Sequence, residues 1–242
     1  MSKDSYEIVL TAKKVRQRKK RVRIAKLVLL ILAVLLVALY AVLKFVNSGY
    51  FFMISLDKNL YLKNGVIIYD DPNYKVYRRN LKVESMDFLD DISVKWLPDN
   101  LDEGDGSHNG QNYVAYSFYI ENTGKDAVDY WTEFIIDDAI KNVDEAIRIR
   151  IYFDGKYVDY AKASITGEAE KGTVKFLSDD VVFRDSIKNF KPDEIHRYTI
   201  VIWLEGSDLE CTNDILGGEI RAHMNFKSEV RESGEKDGRN KK

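Results

Sequence analysis

The sequence predicts a single-pass transmembrane helix joined to a mainly-β ectodomain built as an antiparallel β-sandwich. Three observations predict it. Residues Leu27–Leu43 carry no charge, no Pro and no Gly, and all but Tyr40 are Leu, Val, Ile or Ala. From Asp91 onward, short runs of alternating apolar residues follow one another, separated by Gly, Asn and Asp. Only 3 Pro occur in 242 residues, so little interrupts the strands, and 15 Tyr and 11 Phe supply large side chains to fill the space between two sheets.

The span comes first. Counted as helix from Ile24 to Val46, it is roughly 34 Å long at about 1.5 Å per residue, enough to cross a bilayer with some tilt. Lys26 and Lys44 bracket it with stems long enough to reach the headgroups. A soluble helix rarely stays apolar on every face for so long, so residues 24–46 are expected to contact membrane lipid. Residues 1–23 hold nine Lys or Arg against Asp4 and Glu7, a net charge of +7. The chain totals 37 basic and 39 acidic residues, and removing those nine, Lys26, Lys44 and the two acids leaves 26 against 37 in residues 47–242, a net of −11. A basic cluster beside a span stays cytoplasmic, which predicts a cytoplasmic N-terminus and an extracytoplasmic C-terminal domain at the cell membrane. Because the basic run abuts the span, it reads as a topology signal and not as a nucleic-acid site. The apolar core exceeds the usual signal-peptide length of about 7–15 residues, so retention as an anchor is expected over cleavage near Val46–Gly49.

Residues 47–85 form a connector. Tyr50, Phe51, Phe52 and Met53 suit a membrane interface, and Leu60–Tyr69 reads as a hairpin turning at Asn64-Gly65. The ectodomain, 86–227, then runs strand after strand. Ile92–Trp96 is a strand closed by Pro98, and Asp99–Asn112 is a polar, Gly-rich loop. Val114–Ile120 alternates as a half-buried strand, Asn122-Thr123-Gly124 turns the chain, and Val128–Ile136 returns. Asp137–Ala146 reads as a short helix. Arg148–Phe153 puts Ile149, Ile151 and Phe153 on one side and Arg148, Arg150 and Tyr152 on the other; Asp154-Gly155 is a hairpin signal leading into Lys156–Tyr160. Thr173–Leu177 and Val181–Phe183 are short strands, and Arg197–Glu205 and Glu219–Phe226 are longer ones. The tail, 228–242, is charged and expected to be disordered.

Several of these features resemble the TasA/camelysin-type surface proteins of Gram-positive bacteria: Tyr116–Ile120 followed by Glu121-Asn122-Thr123-Gly124, then Arg148–Phe153, then Phe190–Glu194 with Tyr198–Glu205, Gly217-Gly218 and Met224–Phe226. The likeness covers roughly Ile92–Phe226. It implies a jelly-roll-like fold at the cell surface, in a family whose members include matrix-fibre subunits that pass an N-terminal strand to a neighbour. The longer span here implies a membrane-tethered relative. Protease activity has been ascribed to camelysin-type members, but the chain holds no H-E-x-x-H, so that activity is not carried over.

Candidate chemistry is sparse. Asp102, Glu103 and Asp105 make an oxygen-rich loop of the kind that binds Ca²⁺, without EF-hand spacing; a solvated acidic loop is the plainer reading. His108, His196 and His223 are the only histidines, and none has a partner at i+4. The lone Cys211 excludes an internal disulfide. It lies among Asp208, Glu210 and Asp214, whose charge raises a thiol pKa, so it reads as a small apolar residue and not a nucleophile. Trp203 reads as a core residue. No catalytic residue and no cofactor is expected. What the sequence points to is a non-enzymatic envelope protein whose partner is another envelope protein or its own copies. A transmembrane sensor or accessory subunit, with an inner tail that reports, is the alternative, and a cation-binding or hydrolytic ectodomain is a second.

Overall fold

The computed structural model describes residues 3–47, 51–84, 86 and 89–228; the expected disordered tail beyond Ser228 lies outside them. The chain divides into two compact units, Met1–Gly49 and Tyr50–Lys242. In the first, one unbroken helix, α1 (Lys3–Asn47), holds both the basic run and the apolar span. Its 45 residues contain no Gly or Pro, so nothing in it breaks the hydrogen-bond ladder. A stretch of membrane-crossing length and apolarity occupies Lys19–Tyr40.

The second unit is mainly β. Five strands form one sheet in the order β11 (Val181–Phe190), β7 (Val128–Ala139), β13 (Ile220–Ser228), β1 (Phe52–Leu56) and β3 (Asn80–Val83). The other sheet has eight: β10 (Val174–Lys175), β9 (Lys156–Ala161), β8 (Ile147–Phe153), β12 (Ile195–Glu205), β6 (Tyr113–Asn122) and β2 (Val66–Tyr69), with β4 (Asp91–Ile92) beside β12 and β5 (Gly106–Ser107) beside β6. The sheets share one core, in which Phe226 of the first meets Phe118 and Tyr198 of the second at ring-centroid distances of 5.8 and 5.3 Å.

The expected all-antiparallel pairing is not what forms. β1 runs parallel to β13, β4 parallel to β12, and β10 parallel to β9. None of these pairs is joined by a tight turn, so no hairpin dictates their direction. β1 is the consequential case. It enters between β13 and β3, pairing Phe52–Leu56 with Ala222–Phe226 on one side and Phe52–Ser55 with Asn80–Val83 on the other. Phe52, Ile54 and Leu56 are buried, each worth about 1.5–3 kcal/mol of apolar transfer. The connector is therefore part of the sheet.

Other local expectations are corrected. No hairpin forms at Leu60–Tyr69: Asp57 caps a short helix, α2 (Lys58–Leu62), its carboxylate accepting from the Asn59 amide, and Leu60 is its buried anchor. Gly65, at φ 72°, then lets the chain enter β2 in the other sheet. Ile92–Trp96 is not a continuous strand, since Ser93 caps a 3-10 turn over Val94–Trp96. The expected helix over Asp137–Ala146 gives way to a longer β7 and a 3-10 turn at Ile140–Glu145, because Lys141 and Asn142 sit in the left-handed region. β11 extends to Phe190; as an edge strand it keeps Arg184, Asp185 and Lys188 in water without needing alternation. The Asp154-Gly155 hairpin forms as expected, with φ of 47° and 79°, and Phe153 opposite Lys156.

The polar loop after Pro98 does more than its composition suggests. Ile92, Leu97 and Leu101 lie over Ala115, Tyr152, Val201 and Trp203, forming a second apolar cluster on the outer face of the larger sheet. Both faces of β6, β8 and β12 are thereby covered, and Arg148 and Arg150, on the side opposite Ile149 and Ile151, are buried.

Candidate functional site

Covering that outer face has an electrostatic consequence. A buried guanidinium needs a fixed counter-charge. Arg150 finds Asp159 of β9 through two hydrogen bonds, Nε to Oδ1 at 2.6 Å and Nη2 to Oδ2 at 2.9 Å, and stacks on Tyr157 at 4.0 Å from the ring centroid. Arg148 reaches 60 positions along the chain to Asp208, donating from Nη2 to a fully buried carboxylate. Glu170 stands 3.6 Å from the same Nη2.

Asp208 belongs to the turn-rich loop Gly206–Gly218. Asp208, Glu210 and Glu170 bring their oxygens within 4.8 Å of one another, and this trio is the one carboxylate cluster of metal-ligand type among the described residues. Arg148 already lies against it. Burial alone would raise the Asp208 carboxyl; the Glu210 amide and Arg148 outweigh it and hold that group below the ordinary range. Glu210 moves the other way, pushed up first by its hydrogen bond to Asp208, then by burial and the neighbouring negative charges. Burial, then Asp91, Asp208 and Glu205, push the Cys211 thiol up. Glu205, also buried, accepts from the Val94 amide at 2.9 Å, Trp203 Nε1 at 3.1 Å and Ser207 Oγ at 2.6 Å. It thereby ties the Val94–Trp96 turn to the loop.

The residues singled out from sequence go to separate partners. Asp105 accepts from the Tyr119 hydroxyl at 2.6 Å and lies 3.6 Å from Arg197. Glu103 accepts from Asn100 Nδ2 at 3.3 Å, and Asp102 lies near Gly155. His108 bridges the Gly106 and Leu101 carbonyls at 3.0 and 2.8 Å, within its own loop. His196 is buried against Phe190, with Nδ1 2.8 Å from the Tyr130 hydroxyl. His223 pairs with Asp137 at 2.6 Å. Trp203 is fully buried, as expected.

Asn122-Thr123-Gly124 proves to be a clasp. Buried Asn122 donates from Nδ2 to the Asp126 and Phe190 carbonyls and accepts from the Gly124 amide. A Cβ on Gly124 would lie 2.0 Å from the Asn64 carbonyl oxygen. Sequence reading missed Arg148 and Arg150. The signal that would have found them is the pair of apolar residues around Pro98, Leu97 before it and Leu101 in the polar loop after it, which have no role unless they cover a sheet.

Several large apolar side chains outside the strands are open to solvent. Trp96 is 74% exposed, and Leu209 on the Gly206–Gly218 loop is 86% exposed. Tyr74, Val76 and Tyr77 project from a segment, Asn73–Asn80, in which every residue is exposed.

No family model matches the chain, and no curated protein matches it. Among solved structures, a β-glucosidase from Kluyveromyces marxianus in complex with glucose aligns at 8% identity and a TM-score of 0.25, over 68% of this chain and 15% of that one. A selenomethionine-labelled form of that enzyme aligns at 9% identity and a TM-score of 0.25, over 66% and 17%. Likeness at that level carries neither fold nor activity to this chain.

Proposed function

We propose that the protein is a membrane-anchored, extracytoplasmic, jelly-roll-like domain that acts as a non-enzymatic structural or interaction component of the cell envelope, a tethered relative of TasA/camelysin-type surface proteins. The observation that carries this reading is the contrast between a closed interior and open loops. Among the described residues the buried Arg148 and Arg150 are each spent on an internal carboxylate, whereas Tyr74, Tyr77, Trp96 and Leu209 stand exposed outside the strands, as aromatic and aliphatic anchors of protein interfaces do. Because β1 is seated between two strands of its own sheet, assembly would proceed through surfaces and not by handing that strand to a neighbour. Co-purification of the full chain with envelope proteins, and its own self-association in detergent, test the reading; a strictly monomeric chain that captures nothing refutes it.

A second reading, a transmembrane relay, draws on the continuity of α1 from Lys3 to Asn47, a single rod through which a movement on one side is felt on the other. Deleting residues 2–12 while keeping the basic run abolishes function on that reading. Survival of both function and location refutes it.

A further inference from the structure

We infer that the end of the β unit at which β1 begins is seated on a lipid surface, with Trp96, Leu209 and Leu216 in the headgroup region. The inference rests on the membrane-anchored part of the proposed function. It starts from topology. β1 runs parallel to β13 with Phe52 beside Ala222, and the Ala222 amide donates to the Phe51 carbonyl at 3.1 Å. The chain thus enters this unit at the end where β13 begins and, because Ile220 pairs with Ala139, where β7 ends. β12 ends there too, the Glu205 amide donating to the Ala146 carbonyl just ahead of β8. Three connections share this end: Val94–Trp96, Ile140–Glu145 and Gly206–Gly218. They are tied to one another. Glu205 accepts from the Val94 amide, Lys141 Nζ donates to the Leu216 carbonyl, and a Cβ on Gly218 would lie 2.8 Å from the Ile140 carbonyl oxygen.

These connections hold exposed apolar side chains: Trp96 and Leu209, with Leu216 at 58% and Ile140 at 41%. The covalent chain says what lies next to them. Phe51 follows Val46, the last apolar residue of the span predicted from sequence, by five positions, and at about 3.3–3.6 Å per residue those positions reach at most about 18 Å. β12 alone, with its 11 residues, is about 36 Å long at about 3.3 Å per residue. The end that holds Phe51 is therefore the one that an anchored chain keeps beside the bilayer. Charge does not draw it there. Exposed Lys95 and Lys141 are outnumbered by acids around the same connections, such as Asp91, Asp138, Asp214 and Glu219. The attraction is apolar, and the surface it suits is a zwitterionic headgroup layer, where Trp in particular collects. Trp96 and Leu209 then face lipid. Tyr74 and Tyr77, which precede Asn80 opposite Ser55 of β1, remain for a protein partner.

The test uses the full chain reconstituted in phosphatidylcholine vesicles, with and without acyl chains brominated near the headgroup, which quench an indole on contact. The signal is specific to one residue. α1 holds no Trp, Trp203 is fully buried, and Trp131 lies beneath Arg184 and Lys227. The native chain is expected to lose the share of its emission that Trp96 supplies, about a third for 3 Trp. W96F is expected to lose almost none, and L209S/L216S, which keeps Trp96, at least about twofold less than the native chain. All three positions are exposed, so melting by circular dichroism is expected to match the native chain, which separates seating from folding. Quenching in W96F equal to the native chain's, or in L209S/L216S undiminished, overturns the proposal. A native chain that floats with the vesicles yet is not quenched overturns it while leaving the anchor in place, and gives this end to water or to a protein partner. A chain that does not float with the vesicles removes the proposal and the anchored reading together.

Discussion

Replacing Arg148 with Met tests the electrostatic account of the buried loop. The substitution keeps most of the side-chain volume and removes the charge. It leaves Asp208, whose side chain is fully buried, facing Glu170 and Glu210 with no cation between them. Breaking a buried pair on one side costs about 3–5 kcal/mol, which in a domain of this size lowers the melting temperature by roughly 6–20 °C. The dependence on pH is the sharper part. Native Asp208 is held below its ordinary value, so its contribution is present above about pH 4, the unfolded value, and is lost as pH falls through the lower folded one. Without Arg148 the same burial drives that carboxyl up, and protonation relieves the variant while the native chain is still fully paired. The gap between the two proteins should therefore be widest near pH 7 and narrow toward pH 5. Urea unfolding of the full chain in detergent, followed by tryptophan fluorescence at several pH values, measures it. A gap below about 1 kcal/mol, or one that is flat in pH, refutes the reasoning.

Three further outcomes follow from the same structure. In Arg148→Ala the trio Glu170, Asp208 and Glu210 loses its internal cation, so millimolar Ca²⁺ is expected to raise the melting temperature of the variant and leave the native chain unmoved; equal shifts in both would show that Arg148 does not fill that place. Gly124→Ala drives a Cβ into the Asn64 carbonyl and disturbs the Asn122 clasp, at a cost of about 2–4 kcal/mol by urea midpoint, and a change under about 0.5 kcal/mol would refute the close approach. Cys211, its thiol pushed up by burial and by Asp91, Asp208 and Glu205, is expected to react with a maleimide at pH 8 about tenfold more slowly than free cysteine, and reaction at the free rate would contradict that environment.

Much of the ladder was legible because it is local. Asp154-Gly155 carries its own backbone requirement, and the alternation in Arg197–Glu205 and Glu219–Phe226 records a sheet face directly. The rest depends on what lies opposite. Alternation in Arg148–Phe153 identified the two faces but not that the second would be covered, because the cover comes from Ile92 and Leu97, in a stretch that reads as a strand of its own, and from Leu101, in a loop whose Gly and Asp content reads as open. β11 was cut short for the converse reason: an edge strand with Arg184, Asp185 and Lys188 in water has no apolar period to show. At the candidate site, Asp208 and Glu210 stand out in the sequence only as carboxylates around Cys211, and the cation paired with Asp208 lies 60 positions away, where no local pattern announces it.

The seating of β1 has a consequence for the order in which the protein is made. Ser55 and Asn225, neighbours across the β1–β13 pair, are separated by 170 positions. At about 5–20 residues per second the ribosome takes roughly 10–30 seconds to cover that distance. For that interval β1 has only β3 to pair with, and its other edge, with Phe52 and Ile54 beside it, stays uncovered. The smaller sheet thus closes only after β13 has been synthesised. A product that stops short of Ile220 leaves a permanent vacancy beside β1, so premature termination yields an open sheet edge and not a smaller folded domain.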